Sequence, residues 1–191
     1  MAELDDMQPN SSSTKLTFED YRLFPDDGRR HELIDGEHYV TPSPVTNHQR
    51  ISRCLLFEIE FYLRAHPIGE VFCAPFTTIL TQYDVVEPDL LYVSNERRDV
   101  IQEWIRGAPD LVVEILSPSS RKLDEVTKRR LFERTGVAEY WVVDPELKAV
   151  TVHRRDGDRF VRVAELGRDE GAVLTTPLLP GFELGLDRLF A

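Results

Sequence analysis

Apolar residues recur every four positions at Ile51, Leu55, Ile59 and Leu63. That spacing predicts an amphipathic helix over 45–66, with Phe57 and Phe61 extending its apolar face, and His66–Gly69 closing it. Before it, "TFED" at Thr17–Asp20 resembles a capping box and predicts a short helix ending near Phe24. Two short runs in "HELIDGEHYV" flank Asp35-Gly36, a strong signal for a β-hairpin. After the long helix, "EVFCAPFTTIL" and "VVEPDLLYVS" each read as a strand, the second entered through Pro88. The polar "NERRDVIQEWIRG" predicts a short helical excursion. "DLVVEIL" then predicts a buried strand, and Ser117–Ser120 supply a turn and an N-cap. A helix follows over 121–135 with Gly136 just past its end. "EYWVVDP" reads as a strand, residues 149–166 as a second hairpin, and "GAVLTT" as one more short strand. The last residues, from Leu178, are an irregular apolar tail that docks on the body. Strands and helices interleave, so the expected class is mixed α/β or α+β around one layered core. The expected organisation is one domain over 17–191 after a disordered lead-in over 1–16.

Composition narrows this picture. A chain of 191 residues with 41% hydrophobic content can build a real core. The net charge of −11 sets it apart from generic nucleic-acid binders, so any such contact must use a local basic patch or metal ions. Two isolated cysteines, Cys54 and Cys73, exclude a disulfide framework or a cysteine-rich zinc site and suit free thiols in the cytoplasm. No apolar run approaches a membrane span, and the N-terminus lacks a secretory signal.

The puzzle is Glu114, a carboxylate in the middle of a buried strand. A lone ionised carboxylate in an apolar core is very costly, so it must shift its pKa, pair with a cation or bind a metal. Asp89 interrupts an apolar run in the same way. If their strands are neighbours with the two acids level, both converge on one point, and a divalent cation relieves their repulsion. Lys128 lies four residues after Asp124; it reads either as an ordinary surface pair or as an ammonium over that site. Arg121, Lys122, Lys128, Arg129, Arg130 and Arg134 make the helix over 121–134 basic within an acidic chain, which is either a solvated face or a phosphate-facing one. Glu32 in the first hairpin and His48 at the start of the long helix are weaker candidates. There is no Gly-rich phosphate loop, no G-x-S-x-G and no H-E-x-x-H.

"HELIDGE", "TPSPVTNH", "EPDLLYV", "PDLVVEILSPSS", "DEVTKRRLF" and "GVAEYWVVDP" occur in the order and spacing of the Uma-two family of putative restriction endonucleases. The chain resembles that family from Thr17 to its C-terminus, and the family looks like a branch of the PD-(D/E)XK nuclease superfamily. The resemblance implies a restriction-endonuclease-like core: a central mixed sheet flanked by helices, with N- and C-terminal hairpins. It implies Asp89 and Glu114 as ligands for Mg²⁺ or Mn²⁺ in DNA phosphodiester hydrolysis, with Glu32 completing the acidic cluster. The lysine expected two residues after the second acid falls on Leu116, so the resemblance transfers that role to Lys128. Phe132 stands where relatives often carry tyrosine. Leu116 and the acidic balance also suit a different class, a non-catalytic binding or assembly module that retains the nuclease fold. A third reading makes Glu114 a structural acid paired with an arginine or with Lys128. Unblunted strand edges in the hairpins suit a homodimer.

Overall fold

The computed structural model describes residues 14–191. Residues 1–13, most of the expected lead-in, lie outside the described residues; of the remainder, the Leu16 amide donates to the Gly36 carbonyl at 3.0 Å. Helix α1 (Phe18–Tyr21) carries the expected capping box, with the Asp20 carboxylate accepting from the Thr17 amide and the Thr17 hydroxyl accepting from the Asp20 amide. Strands β1 (Arg30–Ile34) and β2 (Glu37–Thr41) form the first hairpin. Asp35 and Gly36 both take positive φ, 54° and 76°, as a tight two-residue turn between twisted strands requires.

Helix α2 (Thr46–Ala65) buries Ile51, Leu55, Ile59 and Leu63 against the main sheet. Phe57 and Phe61 do not extend that face. They stack on each other in solvent, 58% and 66% exposed. At 100° per residue Phe57 points opposite the buried row, so the apolar stripe is narrower than the sequence suggested.

The next two apolar runs differ from expectation. "EVFCAPFTTIL" is two strands, β3 (Gly69–Cys73) and β4 (Thr78–Thr81), divided at the cis Ala74–Pro75 bond and belonging to different sheets. "VVEPDLLYVS" divides in the same way at Pro88, into β5 (Asp84–Val86) and β6 (Leu90–Ser94). Proline donates no ladder hydrogen bond, so each prolyl residue marks the point where the chain leaves one sheet for the other. The polar excursion is a 3₁₀ turn over Asn95–Val100 followed by a two-residue strand, β7 (Ile105–Arg106).

β8 (Leu111–Ile115) runs parallel to β9 (Glu139–Asp144), and the helix between them crosses over one face. That helix begins π-helical over Leu123–Lys128 and continues as α3 (Arg129–Thr135), ending on Gly136 at φ 95°. β10 (Ala149–Asp156) and β11 (Arg159–Gly167) form the second hairpin. β12 (Val173–Leu174), β13 (Leu184–Gly185) and α4 (Leu186–Leu189) complete the chain.

The result is a six-stranded mixed sheet, β11-β10-β9-β8-β6-β3, beside a five-stranded sheet, β2-β1-β5-β4-β7. α2 and the C-terminal tail pack on one face of the larger sheet, over Leu90, Tyr92, Leu111, Val113 and Trp141. α3 packs on the other, over Val112, Leu116, Tyr140 and Val142, with Phe132 fully buried beneath it. Strand parity therefore sends Val112, Glu114 and Leu116 towards the α3 side, as the alternation in the sequence required.

Candidate active site

β6 and β8 are adjacent and antiparallel, with Leu90 opposite Val113. The same register sets Asp89, the residue before β6, level with Glu114. The conditional expectation from the sequence is thus met: the two acids come together at one end of the sheet. The Asp89 carboxylate also accepts from the Ile115 amide at 2.8 Å, tying the start of β6 to the end of β8.

Asp89 and Glu114 are both buried, yet their surroundings differ. Asp89 Oδ1 accepts from Arg30 Nη1 at 2.9 Å, and Oδ2 accepts from His48 Nε2 at 3.0 Å. Burial acts to raise its pKa, but His48, Arg30 and the Ile115 amide outweigh that and hold it down, at about 2. Among the described residues Glu114 has one cationic partner, Lys128 Nζ at 3.0 Å. Burial dominates there and pushes its pKa well above the ordinary range despite the ammonium. One carboxylate is firmly ionised and the other resists ionisation.

Lys128 is 2% exposed and does not form an ordinary surface pair. Its Nζ also donates to Glu32 Oε1 at 2.9 Å and stands 3.7 Å from Asp124 Oδ1. Burial alone would lower its pKa; Glu114, Glu32 and Asp124 more than offset that, so the lysine stays charged. The π-helical stretch explains its direction. The Arg129 amide reaches back to the Asp124 carbonyl, and the Tyr140 hydroxyl donates to that same carbonyl at 3.0 Å. The wider turn puts Asp124 and Lys128 near one line on the inward face, a local distortion that often marks working sites. Asp124, buried with Lys128, has its pKa pushed up to about 6 by burial, against the pull of Lys128 and Ser120.

Glu32, a weaker candidate from the sequence, is fully buried. It accepts from the Glu87 amide at 2.9 Å as well as from Lys128, and its Oε2 has no hydrogen-bond partner among the described residues. A cavity of about 200 Å³ opens onto the cluster, with Asp89, Glu114, Asp124, Lys128, His48 and Arg30 on its wall; Glu32 sits behind Lys128. A second cavity, about 370 Å³, reaches Asp89, His48 and Arg30 from another side.

Arg30, Asp124 and Glu87 were not singled out from the sequence. Alternation along β1 places Arg30 on the face of Glu32, so strand parity held a signal for it. Asp124 was noticed only as a surface partner, because helical periodicity carries no sign of a π turn. His48 is tied to Asp89 through Nε2, while its buried Nδ1 has no hydrogen-bond partner among the described residues.

Five carboxylates, Asp89, Glu114, Asp124, Glu32 and Glu87, face two fixed cations, Lys128 and Arg30. Such a desolvated surplus is relieved by protons or by a cation. The donors are all hard oxygens, and Asp89 Oδ1, with one hydrogen bond, keeps acceptor capacity. Among the described residues no three His, Cys, Asp or Glu side chains form a ready-made metal cage. Asp89 and Glu114 are the two carboxylates that could serve a hard cation keeping most of its own water.

The basic helix is less available than its composition suggests. Arg121 pairs with Asp144 at 2.6 Å, Arg134 with Asp84 at 2.5 Å, and Lys128 is consumed within the cluster. Among the described residues, Lys122 and Arg130 are its exposed cations outside the ion pairs. No helix there is long and apolar enough to cross a membrane.

The family model Uma2, described as "Putative restriction endonuclease", matches residues 18–187. No curated protein matches the sequence. Among solved structures, a "putative nuclease belonging to DUF820 from Anabaena variabilis ATCC 29413" superposes with a TM-score of 0.75 at 20% identity, covering 92% of this chain and 97% of that one. The type IIG restriction endonuclease BpuSI aligns at a TM-score of 0.39 and 15% identity, over 75% of this chain and 15% of its own.

Proposed function

Since the chain belongs to the Uma2 family of putative restriction endonucleases and has the fold of a DUF820 relative, we propose that it is a metal-dependent nuclease that hydrolyses DNA phosphodiester bonds at the Asp89–Glu114 cavity. The observation that carries this reading is the level placement of Asp89 and Glu114 on one cavity wall with Lys128 beside them. Asp89 and Glu114 would hold Mg²⁺ or Mn²⁺; such an ion, when bound, polarises a phosphoryl oxygen and lowers the pKa of a water molecule. Asp89 is suited to that duty because Arg30, His48 and the Ile115 amide fix its carboxylate and keep it charged. Glu114 must lose its proton to join in, and Lys128 favours that ionised form.

Lys128 keeps its charge and lines the cavity, so it would orient the attacking water or steady charge on the phosphoryl oxygens. Two of its N–H groups are engaged by Glu32 and Glu114, which aim the ammonium; Glu32 acts as a positioning residue behind it. Lys122 and Arg130 would meet backbone phosphates, giving weak, salt-sensitive attraction in a chain of net charge −11. The test is plasmid cleavage with Mg²⁺ or Mn²⁺ by the wild type, Asp89→Ala and Glu114→Ala. Nicking lost by at least about 100-fold in both variants is expected; nicking that persists equally in both defeats the assignment.

One feature favours a second reading. Glu114, Lys128 and Glu32 form a nearly closed ionic triad, with exposures of 0–2%. A non-catalytic module that kept the nuclease fold would need nothing more from them. That reading expects no Mn²⁺ binding and no cleavage of any nucleic acid. Its refutation is divalent binding that requires both acids.

A further inference from the structure

The cavity at Asp89 is one of three with shared walls. The middle one, which borders Asp89, also shares Asp26, Arg29 and Glu87 with an open cleft of about 700 Å³ beside α1. Tyr21, Phe24, His31 and Trp104 present rings to that cleft, with Arg29 and Glu103 at its edge. The rings are organised: Tyr21 meets Phe24 edge-on with centroids 5.6 Å apart, Phe24 lies 5.6 Å from His31, and Trp104 stands edge-on to Phe18 at 5.4 Å. Packing around Phe18 accounts for their inner edges. It does not account for Tyr21, Phe24 and Trp104 all remaining partly exposed around one concavity.

The cleft is wired to the proposed catalytic residues. The Tyr21 hydroxyl donates to Glu87 Oε1 at 3.2 Å, Glu87 Oε2 stands 3.9 Å from Arg30 Nε, and Arg30 holds Asp89 at 2.9 Å. What it offers is flat π surface, carboxylate acceptors at Glu87 and Glu103, and arginines towards Asp89. Its arginines, Arg22 and Arg29, are already paired with Glu19 and Asp27, so the cleft's rings and carboxylates do not select a bare phosphate. They match a nucleobase: its face stacks on aromatic rings, and its exocyclic amine donates to a carboxylate. Its own phosphate would then lie near Arg29 and Arg30, on the way to Asp89. A paired base keeps its face inside the duplex and cannot enter.

We propose that this cleft receives one unpaired nucleobase adjacent to the scissile phosphate, so that the substrate is single-stranded or locally unpaired nucleic acid. The proposal rests on the nuclease reading for the phosphate but can be tested without cleavage. Oligonucleotides carrying 2-aminopurine are titrated, in EDTA, into the whole chain as single strands and as blunt duplexes. The emission of Trp104 provides a second signal, since the other tryptophan, Trp141, is fully buried. Single strands are expected to bind at least about 10-fold tighter than duplexes, with 2-aminopurine quenched by stacking. Tyr21→Ala and Phe24→Ala should each weaken single-strand binding by about 5- to 100-fold without changing duplex binding, whereas Tyr21→Phe, which keeps the ring, should retain it. Thermal melts establish that each variant is folded. Equal affinity for the two forms, loss-free alanine variants, or no binding of nucleic acid at all would overturn the proposal. Single-strand preference in a protein that cleaves nothing would sink the catalytic reading alone; duplex cleavage without that preference would sink the cleft alone.

Discussion

Replacing Lys128 with methionine keeps most of the stem's volume and removes the ammonium from between three buried carboxylates. With both carboxylates ionised, each of its two close contacts, 2.9 and 3.0 Å, is worth about 5.5 kcal/mol gross at an effective dielectric near 20. Desolvation of the ions offsets much of that, and breaking a buried pair by removing one partner costs about 3–5 kcal/mol net. For a domain of this size that lowers Tm by roughly 6–20 °C. The loss should depend on pH with a definite sign. Burial already raises Glu114 above its ordinary 4.5, and without Lys128 it rises further. A carboxyl whose folded pKa exceeds its unfolded one contributes stability below the unfolded value and loses it as pH rises through the folded value. Lys128→Met should therefore melt much nearer the wild type at pH 4.5 than at pH 8. Calorimetric or circular-dichroism melts at both pH values measure this. A deficit below about 1 kcal/mol at pH 8, or the same deficit at both pH values, would refute the ion network as drawn.

Asp124→Asn should raise wild-type stability above pH 6 by about 1–3 kcal/mol, because it removes a carboxylate that burial pushes up to about 6 while leaving Lys128 two partners. Urea titrations at pH 4.5 and 8 check this, and destabilisation at pH 8 would contradict it. Arg134→Ala should cost about 2–3 kcal/mol at neutral pH, since Asp84 is buried and loses a two-point contact. Burial would raise the Asp84 pKa, but Arg134, Thr81 and the Asp35 amide bring it below the ordinary value. That stability is present above the carboxylate range and is lost as pH falls, so the variant's deficit should shrink on acidification in the same melts.

The sequence made some of this architecture readable and hid the rest for identifiable reasons. The capping box, the Asp35-Gly36 turn, the inward row of α2 and Gly136 all rest on local chemistry and appear where expected. Strand parity gave Asp89 and Glu114 a shared face only on condition that their strands were level neighbours, and the β6–β8 pairing supplies that condition. What failed were long-range features. Apolar character does not distinguish one long strand from two strands in different sheets; Pro75 and Pro88 are the local marks of both divisions. Phe57 and Phe61 misled because apolar character alone does not say which side of a helix the sheet takes. The burial of Asp124 and Lys128 depends on a π turn held by the Tyr140 hydroxyl from another strand, an arrangement without a helical period of its own. The basic helix lost half of its six cations, Arg121, Lys128 and Arg134, to acids on strands that sequence could not bring near it.

Titration of Mn²⁺ into the whole chain at pH 7.5, followed calorimetrically, bears most directly on whether Asp89 and Glu114 act as joint ligands of a hard cation. One saturable site per chain is expected, weakened at least about 10-fold by Asp89→Ala and by Glu114→Ala alike. No heat of binding to the wild type, or undiminished binding in both variants, would contradict it.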